Sequence, residues 1–520
     1  MSDSTKPPFT FTANFNTQSK TTGNGARVQS KDCFSIALLG NFSGRQDSGK
    51  SSNIGERNFI EVDRFNVDEV FASMALNLTL CLNQDNNNKV HVTLSSLKDF
   101  HPDKLYKNVE IFSQLRDLRG RLNNPATFKQ TAEELGSFSE DSEPPVKANV
   151  LDETPATAAE DGPSESSTTS FLDSILDETE GRTEDKDDTV EPSAAQEKAS
   201  KSMVGGFIQQ LFADKQKVRS RDPRQDEMVA TVDEAITLQM RSLLHHPQFQ
   251  ALESSWRALY FLIKRIPKDK PLKLYLLDVS QDELARDLEV DDVTQSQLYK
   301  LICDSSMGDV DWNLIVGDYR FGADIDDILM LSQLGFIAQQ AGAQFMAAAD
   351  AKFVGCQTFA ETPNADKWLS EIAPSAELAW ATLRKSQVAK NISLALPRFI
   401  LREPYGSKSV PVKLFSFEEM SQPPQHEDYL WGNPAFLKAE QIARAFINTG
   451  WEMRYENVLK TEDLPLHYYE HKGRTVIKPC AEIPLSDKGA QKMLAQGLIP
   501  LWSVKDADKI HSGAFHSIAE

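Results

Sequence analysis

Residues 273–279 read KLYLLDV, an almost unbroken apolar run that is typical of a strand buried on both faces of a parallel sheet. Residues 313–317 (NLIVG) and 345–348 (FMAA) repeat this pattern further along the chain. Apolar residues at helical spacing lie between and after these runs, over residues 280–287, 296–303 and 324–343. Because strands and helices alternate, we predict an α/β sheet in this part of the chain.

Two helices are predicted ahead of these strands, at residues 226–244 and 249–263. The string His245-His246-Pro247 separates them, because a residue before proline avoids the helical conformation. His467 and His471 have the i, i+4 spacing of a zinc helix, but the nearby Pro465 and Gly473 favour a loop or strand. We therefore expect neither a metal nor another cofactor.

The N-terminal 138 residues predict a small α/β unit preceded by a free-standing strand. Residues 9–15 alternate apolar and polar side chains, which indicates a strand with one buried face, formed by Phe9, Phe11, Ala13 and Phe15. Residues 33–39 (CFSIALL) predict a buried strand, and residues 58–63 predict another. A short helix at 67–75 and a hairpin at 79–82 and 89–94 follow. From Pro102 a single amphipathic helix is predicted, with apolar positions Leu105, Val109, Phe112, Leu115, Leu118 and Leu122.

One string in this part matches the phosphate-binding P-loop pattern, with Gly44, Gly49, Lys50 and Ser51 at the required spacing. A true P-loop needs a helix that begins at the Lys-Ser pair and directs its N-terminus at the phosphates. The sequence leaves too little chain for such a helix before the strand at 58–63. We interpret the match as chance, and we keep a P-loop nucleotide-binding protein as the alternative of a different class.

The negative charge is concentrated in one segment. The chain has 520 residues and a formal charge of −20, and residues 139–200 hold 18 Asp and Glu against 4 Lys and Arg, a net charge of −14. Such a segment cannot bury enough apolar surface to offset the entropy of ordering, so we predict disorder. The predicted fold is therefore two α/β domains, residues 1–138 and 201–520, joined by an acidic disordered linker with a short amphipathic helix near 170–179.

Composition excludes several classes of protein. The chain contains no cluster of five or more Lys and Arg, so nucleic acid is not expected as a partner. Its five cysteines are widely spaced, which argues for a reducing compartment. No apolar run is long enough to span a membrane, so we expect a cytoplasmic protein. We recognise no set of residues with the pattern of a catalytic motif, and we predict that the chain is not an enzyme.

Several strings in the C-terminal part resemble the large contractile-sheath subunit of bacterial type VI secretion systems (TssC, VipB). In chain order they are residues 244–250 (LHHPQFQ), 256–257 (WR), 317–319 (GDY), 396–399 (LPRF), 404–406 (PYG), 417–419 (FEE), 429–433 (YLWGN) and 497–501 (GLIPL), with Arg402 between them. The N-terminal part resembles the small sheath subunit (TssB, VipA). Its strings are residues 36–44 (IALLGNFSG), 59–63 (FIEVD), and Leu97, Asp99, Phe100 and Pro102, with Arg57 ahead of the second.

The resemblance implies a fusion of the two sheath subunits in one chain, a nonenzymatic structural component of a Gram-negative type VI secretion system. Such subunits polymerise as a sheath around an inner Hcp tube, so copies of the chain, other sheath subunits, Hcp and baseplate proteins are the implied partners. Strands donated between protomers join neighbours in that family, and residues 9–15 lie where the donated arm would be. An edge strand of its own domain is an equally open interpretation.

The acidic segment contains one apolar island at residues 171–177 (FLDSILD). Helical spacing places Phe171, Leu172, Ile175 and Leu176 on one face. The segment is similar to the large-subunit helix that the ATPase ClpV binds after contraction. A helix that packs inside the sheath is the alternative, and a regulatory protein that sequesters ClpV or sheath subunits is a third interpretation.

Two departures from the family pattern affect these expectations. The large subunit of the family continues beyond the equivalent of Ala519, so we expect its C-terminal region to be missing here. The string at residues 256–258 is Trp-Arg-Ala where the family has Trp-Arg-Gly. The missing region favours, as an alternative, a sheath-end cap or baseplate adaptor that limits polymerisation.

Overall fold

The structure is a computed structural model that describes residues 33–44, 53–82, 89–137, 223–267, 269–304, 310–369, 372–453 and 460–520. Over these ranges the fold is α/β, as predicted. We call residues 33–137 the N-terminal part and residues 223–520 the C-terminal part.

Strand β1, Phe34–Gly40, lies in the interior of the main sheet, and all seven of its residues are buried. Its neighbours are β5, Leu272–Asp278, on one side and β6, Trp312–Phe321, on the other, and both pairings are parallel. Leu38 stands opposite Leu276 of β5 and Val316 of β6. A strand of the N-terminal part therefore fills a position inside the sheet of the C-terminal part.

Among the described residues, the main sheet has nine strands in the order β11-β15-β14-β8-β7-β6-β1-β5-β2. Strands β7, β8 and β14 continue the parallel arrangement from β6. Antiparallel strands form the two edges, β15 and β11 at one side and β2 at the other. The bounds are β2 Ile60–Val62, β7 Gln344–Ala349, β8 Ile392–Leu396, β11 Lys460–Thr461, β14 Ile499–Ser503 and β15 Ile510–Ser512.

Three two-stranded sheets complete the strands of the described residues. The predicted hairpin is present, as β3 Leu76–Cys81 and β4 Lys89–Leu94. A second pair is β9 Phe399–Ile400 with β10 Trp431–Gly432. The third is β12 His467–His471 with β13 Arg474–Lys478, so the two histidines lie on a strand.

Helices cover both faces of the main sheet. One face carries α1 Val67–Ser73, α2 Pro102–Asn108, α3 Glu110–Asn123, α4 Pro125–Ser137, α5 Pro223–Leu244, α6 Pro247–Arg265 and α11 Pro434–Thr449. The other carries α7 Gln281–Leu288, α8 Gln297–Tyr299, α9 Ile325–Ala341, α10 Pro374–Lys385 and α12 Asp487–Ala495. Side chains of β1 alternate between the two cores, with Ile36 and Leu38 in the first and Ala37 and Leu39 in the second.

The single helix predicted from Pro102 is wrong in one respect, because the chain leaves the helical conformation at Val109 and forms α2 and α3. Val109 is extended, with φ −88° and ψ 131°, and is buried with the other predicted apolar positions. Arg116 of α3 donates from Nη1 to the carbonyl oxygen of Tyr106 at 2.9 Å. This bond satisfies a C-terminal carbonyl group of α2 and so stabilises the break.

We predicted two separate domains, but the described N-terminal and C-terminal parts pack against each other without a gap. Both parts contribute strands to the main sheet and side chains to a shared core. The physical reason is that β1 is apolar on both faces and has no exposed edge, so it needs a neighbour on each side. The boundaries at residues 138 and 201 stay a prediction, and the predicted linker, 139–200, lies outside the described residues.

Candidate functional site

Most site residues predicted from the sequence lie outside the described residues. This holds for the strand residues Phe9, Phe11, Ala13 and Phe15, and for the helix residues Phe171, Leu172, Ile175 and Leu176. Of the P-loop match, Gly44 is described, whereas Gly49, Lys50 and Ser51 are not. These predictions remain untested.

The turn after β1 is anchored to the end of β5. Ser43 donates its backbone N–H to Asp278 Oδ1 at 3.0 Å and its hydroxyl to Asp278 Oδ2 at 2.5 Å. From Asn53 the chain forms a 3₁₀ turn, Ile54–Glu56, and then enters β2. Asp278, the last residue of β5, thus joins the two parts of the chain at this turn.

Aromatic side chains form a buried junction between the two parts. Trp256 of α6 donates its indole N–H to the carbonyl oxygen of Phe42 at 2.8 Å and is 1% exposed. Its ring lies 4.4 Å from that of Phe71 on α1, between centroids. Phe100 packs edge-on against Phe249 of α6, at 5.3 Å. Fully buried aromatic contacts of this kind are typical of a permanent interface.

Ion pairs reinforce the same junction. Arg57 donates to the carbonyl oxygen of Asp278 at 2.7 Å and to the two carboxylate oxygens of Glu283 at 3.0 and 2.5 Å. Burial opposes ionisation of Glu283, but Arg57 and the backbone of Ser280 outweigh it and lower the pKa of this carboxyl. Because the pair is almost fully buried, loss of either partner would leave an unpaired charge between the parts.

Behind the junction, Arg402 is buried between Glu253 and Glu419, and we call these three residues the ionic cluster. Arg402 donates to Glu253 at 2.9 Å from Nε, and to the two oxygens of Glu419 at 2.7 and 2.8 Å from its terminal nitrogens. Both carboxylates have no exposed side-chain surface. Burial favours the uncharged form of Arg402, but the two carboxylates outweigh it and raise the pKa of its guanidinium.

Further groups surround the ionic cluster. The backbone N–H of Tyr405 donates to Glu419 at 2.6 Å, and Arg257 donates to Glu253 at 2.6 Å. His245, just before the break between α5 and α6, lies 3.6 Å from Glu419 and 3.2 Å from Asp428. Burial raises the pKa of Glu419, but Arg402 and the hydrogen bonds outweigh burial and lower this pKa to about 2. The cluster therefore holds α6 and two loops together as charged groups.

Several of the strings that carry the large-subunit resemblance meet in this region, although they are spread along the sequence. His245 and Trp256 come from the first strings, and Tyr405 and Glu419 from later ones. Gly432, from the string at residues 429–433, faces Leu401. The Cγ atom of Leu401 lies 2.6 Å from the position that a Cβ on residue 432 would take, so a larger side chain would not fit without a shift. These strings therefore correspond to one packed region of the fold, although they are far apart in the sequence.

A separate apolar surface is exposed near the N-termini of α9 and α10. Its large side chains are Ile325 (41% exposed), Leu329 (56%), Leu369 (72%) and Leu378 (69%), and we call these four residues the apolar surface. A cavity of about 370 Å³ opens beside it, lined in part by Ile325 and Leu369. Large apolar side chains exposed on and beside two helices that pack against each other favour a contact with another protein.

The described residues contain no group of three or more His, Cys, Asp and Glu side chains placed to hold a metal ion. Across the same ranges, none of the helices combines the length and apolar character that a bilayer crossing requires. Sequence reasoning missed the junction itself, because Arg57 and Glu283 are 226 positions apart and no periodicity connects them. The apolar run at 33–39 was the available signal, since a strand without a polar face needs two neighbouring strands.

The fold and the junction define an α/β protein in which two parts of one chain complete a single sheet. Residues 226–519 match the family model described as EvpB/VC_A0108, tail sheath N-terminal domain (VipB), and residues 16–138 match the type VI secretion system VipA family, VC_A0107 or Hcp2. The first match spans more than half of the 520 residues, so the chain belongs to the VipB tail sheath family, with a VipA-type sequence ahead of it. Both resemblances drawn from the sequence are confirmed.

A curated relative points to the same family. The chain is 32% identical over 294 residues to the type VI secretion system sheath protein TssC1 of Pseudomonas aeruginosa strain PAO1. The alignment covers 54% of this chain and 59% of the relative. The chain thus spans about three fifths of the length of the curated relative that it matches.

Proposed function

We propose that this chain is a nonenzymatic structural protomer of a type VI secretion contractile sheath, with the small and large subunits supplied by one polypeptide. The observation that carries the proposal is the position of β1, a VipA-type strand, between two strands of the VipB-type part. Without the C-terminal part, β1 would have no neighbouring strand. Without the N-terminal part, β5 and β6 would each have an unpaired edge. A covalent link raises the effective concentration of one part near the other to about the millimolar range, so pairing would precede assembly.

The proposed partners are further copies of the chain, other sheath subunits, the Hcp tube and baseplate proteins, in the cytoplasm of a Gram-negative bacterium. The apolar surface supports contact between copies, because its four large side chains are exposed in the single chain. Residues 9–15 are proposed as the strand given to a neighbour, and residues 171–176 as a binding segment for ClpV.

Electron microscopy of the purified full chain, alone and mixed with separately made small and large sheath subunits, tests the proposal. We expect hollow tubules that contain the chain along their length. Monodisperse particles that never co-purify with a sheath, tube or baseplate protein would contradict it. Binding confined to the ends of sheaths made from other subunits would instead identify the cap or adaptor alternative.

A further inference from the structure

A groove with a basic rim lies between α2, α3 and the loop that carries Leu414. It encloses about 560 Å³ and is lined by Tyr106, Lys107, Arg116, Arg119, Gly120 and Leu414, which together we call the basic groove. Its three charged lining residues are all cationic, in a chain whose net charge is −20. The groove is therefore a local positive site on an acidic protein.

The cations of the basic groove differ in how they are neutralised. Arg119 forms a two-bond ion pair with Asp233 of α5, at 2.5 and 3.1 Å. Arg116 donates to the carbonyl oxygens of Tyr106 at 2.9 Å and Lys107 at 3.5 Å, which are uncharged acceptors. The hydrogen bonds described for Arg116 do not neutralise its positive charge, and Lys107 is exposed. Both charges can therefore attract an anionic group.

The remaining lining residues give the groove an apolar side. The ring of Tyr106 packs against Phe415 at 4.7 Å between centroids, and Leu414 is 41% exposed at the rim. Gly120 lies inside α3, and a Cβ at this position would meet no described atom within 4 Å. Glycine weakens a helix interior relative to alanine, and packing within the described chain does not require it here. The opening beside Gly120 leaves room for a second segment to approach α3.

One segment of the chain has the complementary chemistry. Residues 171–180 (FLDSILDETE) carry four acidic side chains and no basic one, together with the apolar residues Phe171, Leu172, Ile175 and Leu176. In a helix the apolar residues would share one face and the acidic residues would flank it. An apolar face would meet Tyr106 and Leu414, and the flanking carboxylates would meet Arg116 and Lys107.

The ends of the intervening chain are attached close to the groove. Helix α4 ends at Ser137 and α5 begins at Pro223, and both helices pack against α3. Thirty-three residues separate Ser137 from Phe171, a length that reaches about 110 Å when extended. A tether that starts and ends beside α3 favours a contact within one chain over a contact between chains.

We propose that residues 171–180 dock as a helix in the basic groove of the same chain. The contact lies within one molecule and does not depend on assembly into a sheath. Docking covers the apolar face of the segment, so a partner that binds this face has to displace it from the groove. Because the contact depends on charge, salt weakens it.

Hydrogen–deuterium exchange of the full chain tests the proposal. At an ionic strength of about 0.05 M, we expect amides of residues 172–180 to exchange about tenfold more slowly than those of neighbouring linker peptides. The protection should decrease at about 0.5 M salt, where exposed charges are screened. It should persist on about fiftyfold dilution, since an intrachain contact is independent of concentration.

Variants separate docking from folding. Lys107→Glu and Gly120→Glu place negative charge in the groove, and neither removes a hydrogen bond described for the wild-type side chain. Both should abolish the protection of residues 172–180 without accelerating exchange in α3. Lys385→Glu is the matched control, because Lys385 is also an exposed base in the last turn of a helix but lies on α10. Pairing Lys107→Glu with Asp173→Lys and Asp177→Lys should restore protection.

Three results would overturn the proposal. The first is exchange of residues 172–180 at the rate of the neighbouring linker in the wild-type chain. The second is protection that survives both groove variants, which would place the segment elsewhere. The third is protection that falls with dilution, which would assign the contact to a second copy of the chain.

Discussion

At the scale of single residues, Arg402 neutralises two carboxylates that have no exposed side-chain surface. Replacing it by methionine keeps much of the side-chain length but removes the guanidinium that Glu419 binds and leaves Glu253 with Arg257 alone. We predict that Arg402→Met lowers the free energy of unfolding by about 3–5 kcal/mol. Urea unfolding followed by circular dichroism would measure the loss.

Arg320→Met is the matched control for this prediction. Arg320 pairs with Asp350 at 3.4 Å, but its side chain is 56% exposed, so the pair contributes little. We expect a change of less than about 0.5 kcal/mol. Equal losses in the two variants would show that the ionic cluster has no special role in stability.

Lys438 of α11 predicts a dependence of stability on pH. Burial lowers the pKa of this lysine from its usual 10.5 to about 7, although Glu440 opposes the shift. Between these pH values the unfolded chain binds a proton that the folded chain does not, so this residue makes stability rise with pH. In Lys438→Met, the unfolding free energy should rise less steeply over this window, by up to about 1.4 kcal/mol per pH unit.

Urea unfolding at several pH values from about 7.5 to 9.5 would compare wild type with the variant. Lys390→Met is the control, because Lys390 is exposed. The prediction fails if wild type and Lys438→Met show the same slope. The hydrogen bonds that the Lys438 amine donates to Gln441 and Ser512 at 2.9 Å are lost in the variant at every pH of this window, so the slope rather than the absolute stability is the diagnostic quantity.

At the scale of elements, the sequence predicts which segments form strands and helices better than which of them are neighbours. The apolar run at 33–39 predicted β1, but its insertion between β5 and β6 depends on residues more than 200 positions away. The break at Val109 was missed because apolar residues continue at helical spacing across it. The residues of the ionic cluster were recognised only as members of family strings, since their pairing is decided by tertiary packing.

The exposed leucines of α9 and α10 give a prediction about assembly. Leu329→Glu combined with Leu378→Glu places two charges on the apolar surface, where both leucines are more than half exposed. We predict that the variant keeps its melting temperature within a few degrees and loses tubule formation, because charge repels the contact between copies. Negative-stain micrographs and thermal unfolding would measure the two properties.

Leu494→Glu is the control for the apolar surface, because Leu494 of α12 is 42% exposed but lies outside the four residues of that surface. It should assemble like the wild type. Normal tubules from the double variant would exclude the apolar surface as the contact between copies.

At the scale of the whole molecule, the distribution of charge is consistent with self-association. Residues 139–200 account for −14 of the total charge of −20, so the other 458 residues share only −6. Repulsion between the remaining parts of two copies is correspondingly small. The family models match on either side of the acidic segment, and the described strands of both parts form one sheet. These observations support one chain that folds as a joined pair, with VipA-type and VipB-type strands in a single sheet.

Cleavage of the linker tests this claim most directly. A site for a specific protease, inserted between Ala194 and Ala195, would divide the chain without touching a described residue. We predict that the two fragments co-elute on gel filtration after cleavage and separate only in denaturant, because β1 remains between β5 and β6. The same cut in a Leu38→Asp chain, with a carboxylate at a position that is 0% exposed, should release the fragments. Separation of the wild-type fragments in native buffer would contradict the claim.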